Sequence, residues 1–287
     1  MWILFAFGAA FFAGITSILA KCGVRDTDSN VATAIRTIVV LAFAWFIVFI
    51  VGSETTISSI SGRTLLFLVL SGLATGGSWI CYFRALQLGS VNKVAPVDKL
   101  SSVMSILLAF IVLREPVTPI RALAIIPIGL GTYLMIQKKN DSRAAPDNGK
   151  WIIYALLSAF FASLTSILGK IGISGVESNL GTAIRTAVVL VMAWAVVFIS
   201  KKQHEVRKID RKSLAFICLS GFATGASWLC YYHALKDGQA SVVVPIDQLS
   251  IVLTIAFSYF FLKEKVTRRS LLGLATLVGG TMMMIIK

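Results

Sequence analysis

Residues 70–86 read LSGLATGGSWICYFRAL, and residues 219–235 read LSGFATGASWLCYYHAL. The second passage repeats the first 149 positions later, and the match runs without a gap well beyond it. FFAGITSILAKCG pairs with FFASLTSILGKIG, and SNVATAIRTIVVLAFAWFIVFI with SNLGTAIRTAVVLVMAWAVVFI. Between Phe11–Ile50 and Phe160–Ile199, 24 of 40 positions are identical, too many for a shared bias toward Leu and Val, so the chain is a duplication. Internal self-similarity of this kind decides the architecture before any local propensity is considered.

Of the 287 residues, 57% are hydrophobic and 14% charged, with a mean hydropathy of +0.85. About a quarter of a soluble domain is charged, so this is the composition of a membrane protein. A spanning helix needs about 20 predominantly apolar residues. Each half offers five such stretches, over 2–20, 31–51, 64–87, 93–113 and 118–136, then 150–169, 180–200, 213–236, 242–262 and 267–286. Backbone polar groups in lipid are satisfied within helices or closed barrels, and alternating barrel strands are absent. The fold class is all-α integral membrane: ten transmembrane helices as two five-helix repeats, residues 1–137 and 150–287, joined by a polar linker over 138–149.

Five crossings are an odd number, so the second copy enters from the opposite face and the repeats are inverted. Charge tests this. Setting aside Arg36, Lys99 and Arg185 within the apolar stretches, 18 Lys and Arg fall on one face and 6 on the other. Because cytoplasmic loops are enriched in Lys and Arg, the linker and the loop Lys201–Lys212 are expected in the cytoplasm, with both termini outside. The chain is then a multi-pass protein of the cell inner (plasma) membrane. The net charge of +14 sits in short loops rather than on one basic face, which excludes nucleic acid as a partner. Cys22, Cys81, Cys218 and Cys230 have no metal or disulfide spacing, so no metal or cofactor is expected.

In the opening passage Ser71, Thr75, Ser78 and Tyr82 fall at i, i+4, i+7 and i+11, one face of a helix. Ser220, Thr224, Ser227 and Tyr231 repeat that stripe. Trp79 and Trp228, with Tyr82, Tyr231 and Tyr232, supply aromatic walls for a pocket with a few polar anchors. Gly72, Gly76, Gly221 and Gly225 form GxxxG faces, which favour close helix packing. Ionisable residues inside a span are expensive and face a cavity or a partner. Asp98 and Asp247 each follow a proline by two residues, and Arg36 and Arg185 sit at similar depth in the second and seventh stretches. These four are the candidates for ion or proton coupling, or for structural ion pairs with one another. Lys21 and Lys170, ending the first and sixth stretches, are expected to snorkel to the interface, and His233 to be solvated at a helix end.

The run ALQLGSVNKVAPVDKLSSVMSILLAFIVLREPVTPIRALAIIPIGLGTYLMI resembles the carboxy-terminal part of an EamA repeat in the drug/metabolite transporter superfamily. Its marks are AL..G, a Pro, an apolar helix, Glu115 or Glu264 near its end, Thr118 or Thr267, and a glycine-bearing last helix. Arg114 and Lys263 stand where the family usually writes Gly, and the Asp after Pro is similar to a subgroup of short, single-repeat members. The resemblance covers essentially the whole chain twice and implies ten helices and transport of small metabolites or drugs.

Together these readings predict a secondary transporter that moves a small solute by alternating access, an exporter driven by an ion gradient or exchange. The cavity lining is expected from the third, fourth, eighth and ninth stretches, and the protein to act as a monomer or homodimer. No GxxxxGK[ST] exists to couple ATP, and no HExxH or GxSxG supports an enzyme. The alternative is a lipid-handling or non-transporting membrane partner protein.

Overall fold

The computed structural model describes residues 1–23, 27–88, 94, 97, 100–135, 150–260 and 267–286. Asp98, Lys99, Glu264 and the linker lie outside these. Within them the chain is all-helical: α1 Trp2–Gly23, α2 Ser29–Val51, α3 Gly62–Leu88, α4 Ser101–Val112, α5 Pro119–Met135, α6 Lys150–Ile173, α7 Ser178–Ile199, α8 Arg211–Asp237, α9 Ala240–Gln248, α10 Ser250–Phe260 and α11 Arg268–Ile285. Seven segments among the described residues are long and apolar enough to cross a membrane, one of them formed by α9 with most of α10.

The helix starts follow from side-chain caps that satisfy otherwise orphaned N–H groups. Asp28 accepts from the Asn30 backbone N–H at 2.9 Å ahead of α2, and Glu177, 149 positions on, accepts from Asn179 at 2.9 Å ahead of α7. Asp210 does the same for α8. The ninth apolar stretch is not one continuous helix. Pro245 lies inside α9, and the helix breaks at Leu249 before α10 begins. Proline has no N–H to bond the carbonyl four residues before it, so the ladder is weakened one turn ahead of the break.

Apolar side chains dominate the outside as well as the core, and polar groups are set among them inside. Large apolar side chains such as Phe49, Ile111, Val191 and Leu272 are exposed, whereas Ser71, Ser158, Thr182, Arg185, Thr186 and Ser220 are buried. Such a surface suits hydrocarbon, and the polar interior supplies bonds between helices.

The duplication is visible contact by contact. Helix α3 runs antiparallel to α6, with Thr75 Oγ1 3.2 Å from Thr165 Oγ1 and Ser78 Oγ 3.3 Å from Ser158 Oγ. Helix α8 meets α1 through the equivalent positions, Thr224 with Thr16 at 3.3 Å and Ser227 with the Ala9 carbonyl at 2.9 Å. Gly72 lies so close to α7 that a Cβ there would be 2.7 Å from Val188 Cβ; at Gly221 it would be 2.7 Å from Val39 Cβ of α2. These glycines serve helix packing. Helices α5 and α11 cross face to face, Gly131 against Leu277 and Gly280 against Ile128, again two pairs related by 149 positions.

Candidate functional site

A cavity of about 310 Å³ lies where α1, α3, α6, α7, α8 and α9 converge. Thr75, Ser78 and Trp79 come from α3, Thr165 and Ser166 from α6, Ser227, Trp228, Tyr231 and Tyr232 from α8, and Asp247 from α9. Arg185 of α7 completes the lining. A proline-interrupted helix thus delivers the cavity's carboxylate, and three hydroxyl-bearing helices surround it.

Arg185 organises the site. Its residue is 2% exposed. Its Nε donates to Ser71 Oγ at 3.0 Å and its Nη2 to Thr75 Oγ1 at 2.6 Å. Ser71 passes its own proton to the Thr165 carbonyl at 2.7 Å, so its oxygen is oriented to receive the guanidinium. The ring faces of Trp228 and Tyr232 lie 5.1 and 4.7 Å from the guanidinium carbon, which offsets part of the charge's desolvation. Nη1 has no hydrogen-bond partner among the described residues. Tyr231 donates to Ser166 Oγ at 2.9 Å and meets Tyr232 edge to face, fixing the aromatic wall.

At one end of the bundle, hydrogen bonds tie the ends of neighbouring helices together. Lys170 Nζ donates to the carbonyls of Lys236 and Gly238 at 2.8 and 2.7 Å, and Lys236 Nζ to that of Val176 at 2.8 Å. Lys170 therefore bonds the end of α8 instead of snorkelling, because two backbone carbonyls at that end lie within its reach. The Glu115 carboxylate caps α9, accepting from the Ala240 and Ser241 N–H groups at 2.6 and 3.0 Å. A negative charge at a helix N-terminus is favoured by the dipole. Glu115 is brought there by a left-handed turn: its N–H reaches the Ala109 carbonyl at 3.3 Å, and Arg114 takes φ +53°. That is the left-handed position at which glycine is preferred. His233, expected to be solvated, is half-buried. Its Nδ1 lies 3.1 Å from Ser178 Oγ and its ring 3.9 Å from that of Phe5.

Of the residues singled out from sequence, Thr75, Ser78, Trp79, Ser227, Trp228, Tyr231, Asp247 and Arg185 reach the cavity, and Ser71 holds Arg185. Ser220 and Thr224 bond within α8 and to α1 instead. Tyr82 packs with Ala85 and Trp151. Arg36 is half-buried in α2, away from the lining. Asp98 is outside the described residues. Helices α1 and α6 also line the cavity, although the sequence reading assigned it to the third, fourth, eighth and ninth stretches with Arg36 and Arg185 nearby. The missed signal in α6 was the pair Thr165-Ser166, polar neighbours inside an otherwise apolar stretch.

An uncharacterized transporter of a Sinorhizobium species, from the cobO 3′ region, is 41% identical over 134 residues, 47% of this chain and 95% of that one. An uncharacterized transporter of Bacillus subtilis, YxxF, is 24% identical over 205 residues, covering 70% of this chain and 64% of its own. An uncharacterized protein of Methanocaldococcus jannaschii is 32% identical over 75 residues, 26% of this chain and 55% of its own. A solved crystal structure shares the fold with a TM-score of 0.80 over 98% of this chain and 94% of its own, at 17% identity. The model of the EamA-like transporter family matches residues 1–137 and again residues 149–286, and the chain belongs to that family.

Proposed function

We propose that the protein is a secondary transporter of ten transmembrane helices, two inverted five-helix halves spanning residues 1–137 and 150–287, that moves a small solute by alternating access. The observation that carries this is the Arg185 cavity: a polar and aromatic chamber enclosed by both halves, in a bundle whose outer surface is apolar. Inverted repeats around a midplane site with a broken helix are a common plan of such carriers. The broken α9–α10 supplies Asp247, and the contacts repeated every 149 positions supply a pseudo-two-fold relation between halves. Alternating access then exchanges the two ends: the end tied by Glu115 and Lys170 opens as its counterpart closes. Export driven by an ion gradient or by exchange fits the absence of an ATP-binding motif. The charge bias favours a cytoplasmic linker, with the tied end facing outward.

Reconstitution of the purified chain in proteoliposomes, with radiolabelled small metabolites, drugs and lipids, tests this. Time-dependent accumulation of a soluble solute, reduced at least tenfold in Asp247→Asn or Arg185→Gln, supports it. Movement of lipid alone would favour the lipid-handling alternative, and no flux with any solute would contradict transport.

A further inference from the structure

We infer that the cavity selects a small monocarboxylate with a flat apolar or aromatic body, its carboxylate seated on Nη1 of Arg185. This deepens the transport reading and rests on it. Arg185 is almost wholly buried, and its two hydrogen-bonding partners, Ser71 and Thr75, are uncharged hydroxyls. They fix the guanidinium plane and carry no charge of their own. Nη1 alone carries no hydrogen bond among the described residues, although it is buried and its side chain lines the cavity. A buried cationic donor of this kind favours an oxyanion, because a charged donor in a medium of low dielectric binds an ionised acceptor most strongly.

The remaining walls set what is attached to that carboxylate. Trp79, Trp228, Tyr231 and Tyr232 offer ring surfaces, and Thr75, Ser78, Thr165, Ser166 and Ser227 a few hydroxyls. At about 310 Å³ the chamber is at the lower end of the ~300–1,000 Å³ range of ligand pockets, room for a single-ring or branched body but not for a nucleotide. Asp247 lies on the same lining. Arg185 is the single cationic side chain among the described lining residues, so a phosphate ester would bring more charge than the site compensates. Lipophilic cations are disfavoured by Arg185 itself.

The test is equilibrium binding to the purified full-length chain with four matched probes: 3-phenylpropionate, its amide, phenethylamine and phenyl phosphate. The wild type is expected to bind the carboxylate at least about tenfold more tightly than the other three, the worth of one hydrogen bond to a charged group. Arg185→Gln should abolish that preference, and Arg185→Lys should restore part of it. Equal binding of the amide or amine by the wild type, a preference for the phosphate, or an unchanged preference in Arg185→Gln overturns the inference. So does failure of every carboxylate from acetate to indole-3-acetate to bind at millimolar concentration. The wild-type comparison needs no variant, so misfolding of Arg185→Gln does not blunt it. Carboxylate-selective binding without flux in proteoliposomes would sink the transport reading and leave this one. Flux without carboxylate preference would do the reverse.

Discussion

Arg36 and Arg185 stand at the same position of the two halves, inside the matching runs TAIRT, yet they live in different surroundings. Arg185 holds Ser71 and Thr75 and faces the cavity between two aromatic rings. Arg36 makes no hydrogen bond to Ser220 or Thr224, the equivalents of those hydroxyls, and contributes nothing to the lining. Its backbone carbonyl packs against Gly221 just as that of Arg185 packs against Gly72. The scaffold is therefore symmetric where helices touch and asymmetric where the cavity lies. That is the arrangement expected of one state of a carrier whose halves exchange roles, because a two-fold related chain can close only one end at a time.

Four experiments test how far the two halves correspond. The largest effect is expected where the halves agree. Gly72→Leu and Gly221→Leu each force a side chain into Val188 or Val39, and overpacking of this kind costs about 3 kcal/mol or more. Thermal unfolding of both variants should fall by similar amounts; a large fall in one alone would deny that the two interfaces are equivalent.

The next effect concerns the tied end. Glu115→Ala removes the carboxylate from the start of α9, at a cost of about 1.5 kcal/mol to that closed arrangement. In a chain freed of its native cysteines and carrying Ser227→Cys, the rate of maleimide labelling from that end should rise about tenfold, as the population shift dictates. An unchanged rate would remove Glu115 from the gate.

A third pair separates the halves at a turn. Gly52 and Lys201 are equivalent, and both take positive φ, +73° and +54°, at the ends of α2 and α7. Glycine adopts that backbone freely, whereas other L-residues are strained by about 1 kcal/mol. Lys201→Gly should stabilise by up to about 1 kcal/mol and Gly52→Lys destabilise by about that much, as read by denaturation.

The smallest effect is a pH dependence. Burial pushes the Glu177 carboxyl up, but the Asn179 and Leu180 N–H groups with the Ser53 and Ser178 hydroxyls outweigh it and hold it below its ordinary value. A carboxylate depressed in the folded chain stabilises above the ordinary carboxyl range, and that stabilisation is lost as pH falls through the lowered value. Glu177→Gln should lower stability at neutral pH by about 0.5–1 kcal/mol, allowing for partial exposure. The deficit should shrink as pH falls through that lowered value and the carboxyl is protonated. A pH-independent deficit would mean that packing, and not charge, is what the residue supplies.

The sequence made the duplication, its period and the helical character legible, because a repeat of 149 positions and unbroken apolar stretches are properties of the string itself. The stripe of Ser71, Thr75 and Ser78 was legible for the same reason, but Tyr82, read as its fourth member, packs with Ala85 and Trp151. What periodicity cannot decide is which of two equivalent faces meets a cavity. Ser220 and Thr224 carry the pattern of Ser71 and Thr75 but spend their hydroxyls within α8 and on α1. The role of Lys170 was hidden because its acceptors are backbone carbonyls more than sixty residues away. The break after Pro245 was foreshadowed by the proline, and Arg114 at a glycine position foreshadowed the left-handed turn that aims Glu115.

The most direct test is the sidedness of two equivalent turns. With the native cysteines replaced, Glu54→Cys and Gln203→Cys, which sit in the short turns after α2 and α7, are exposed to a membrane-impermeant maleimide in intact cells and again after permeabilisation. Opposed halves require one position to label in intact cells and the other only once the membrane is opened. Labelling of both under the same condition would place the two copies the same way up, and the shared chamber around Arg185 could not form.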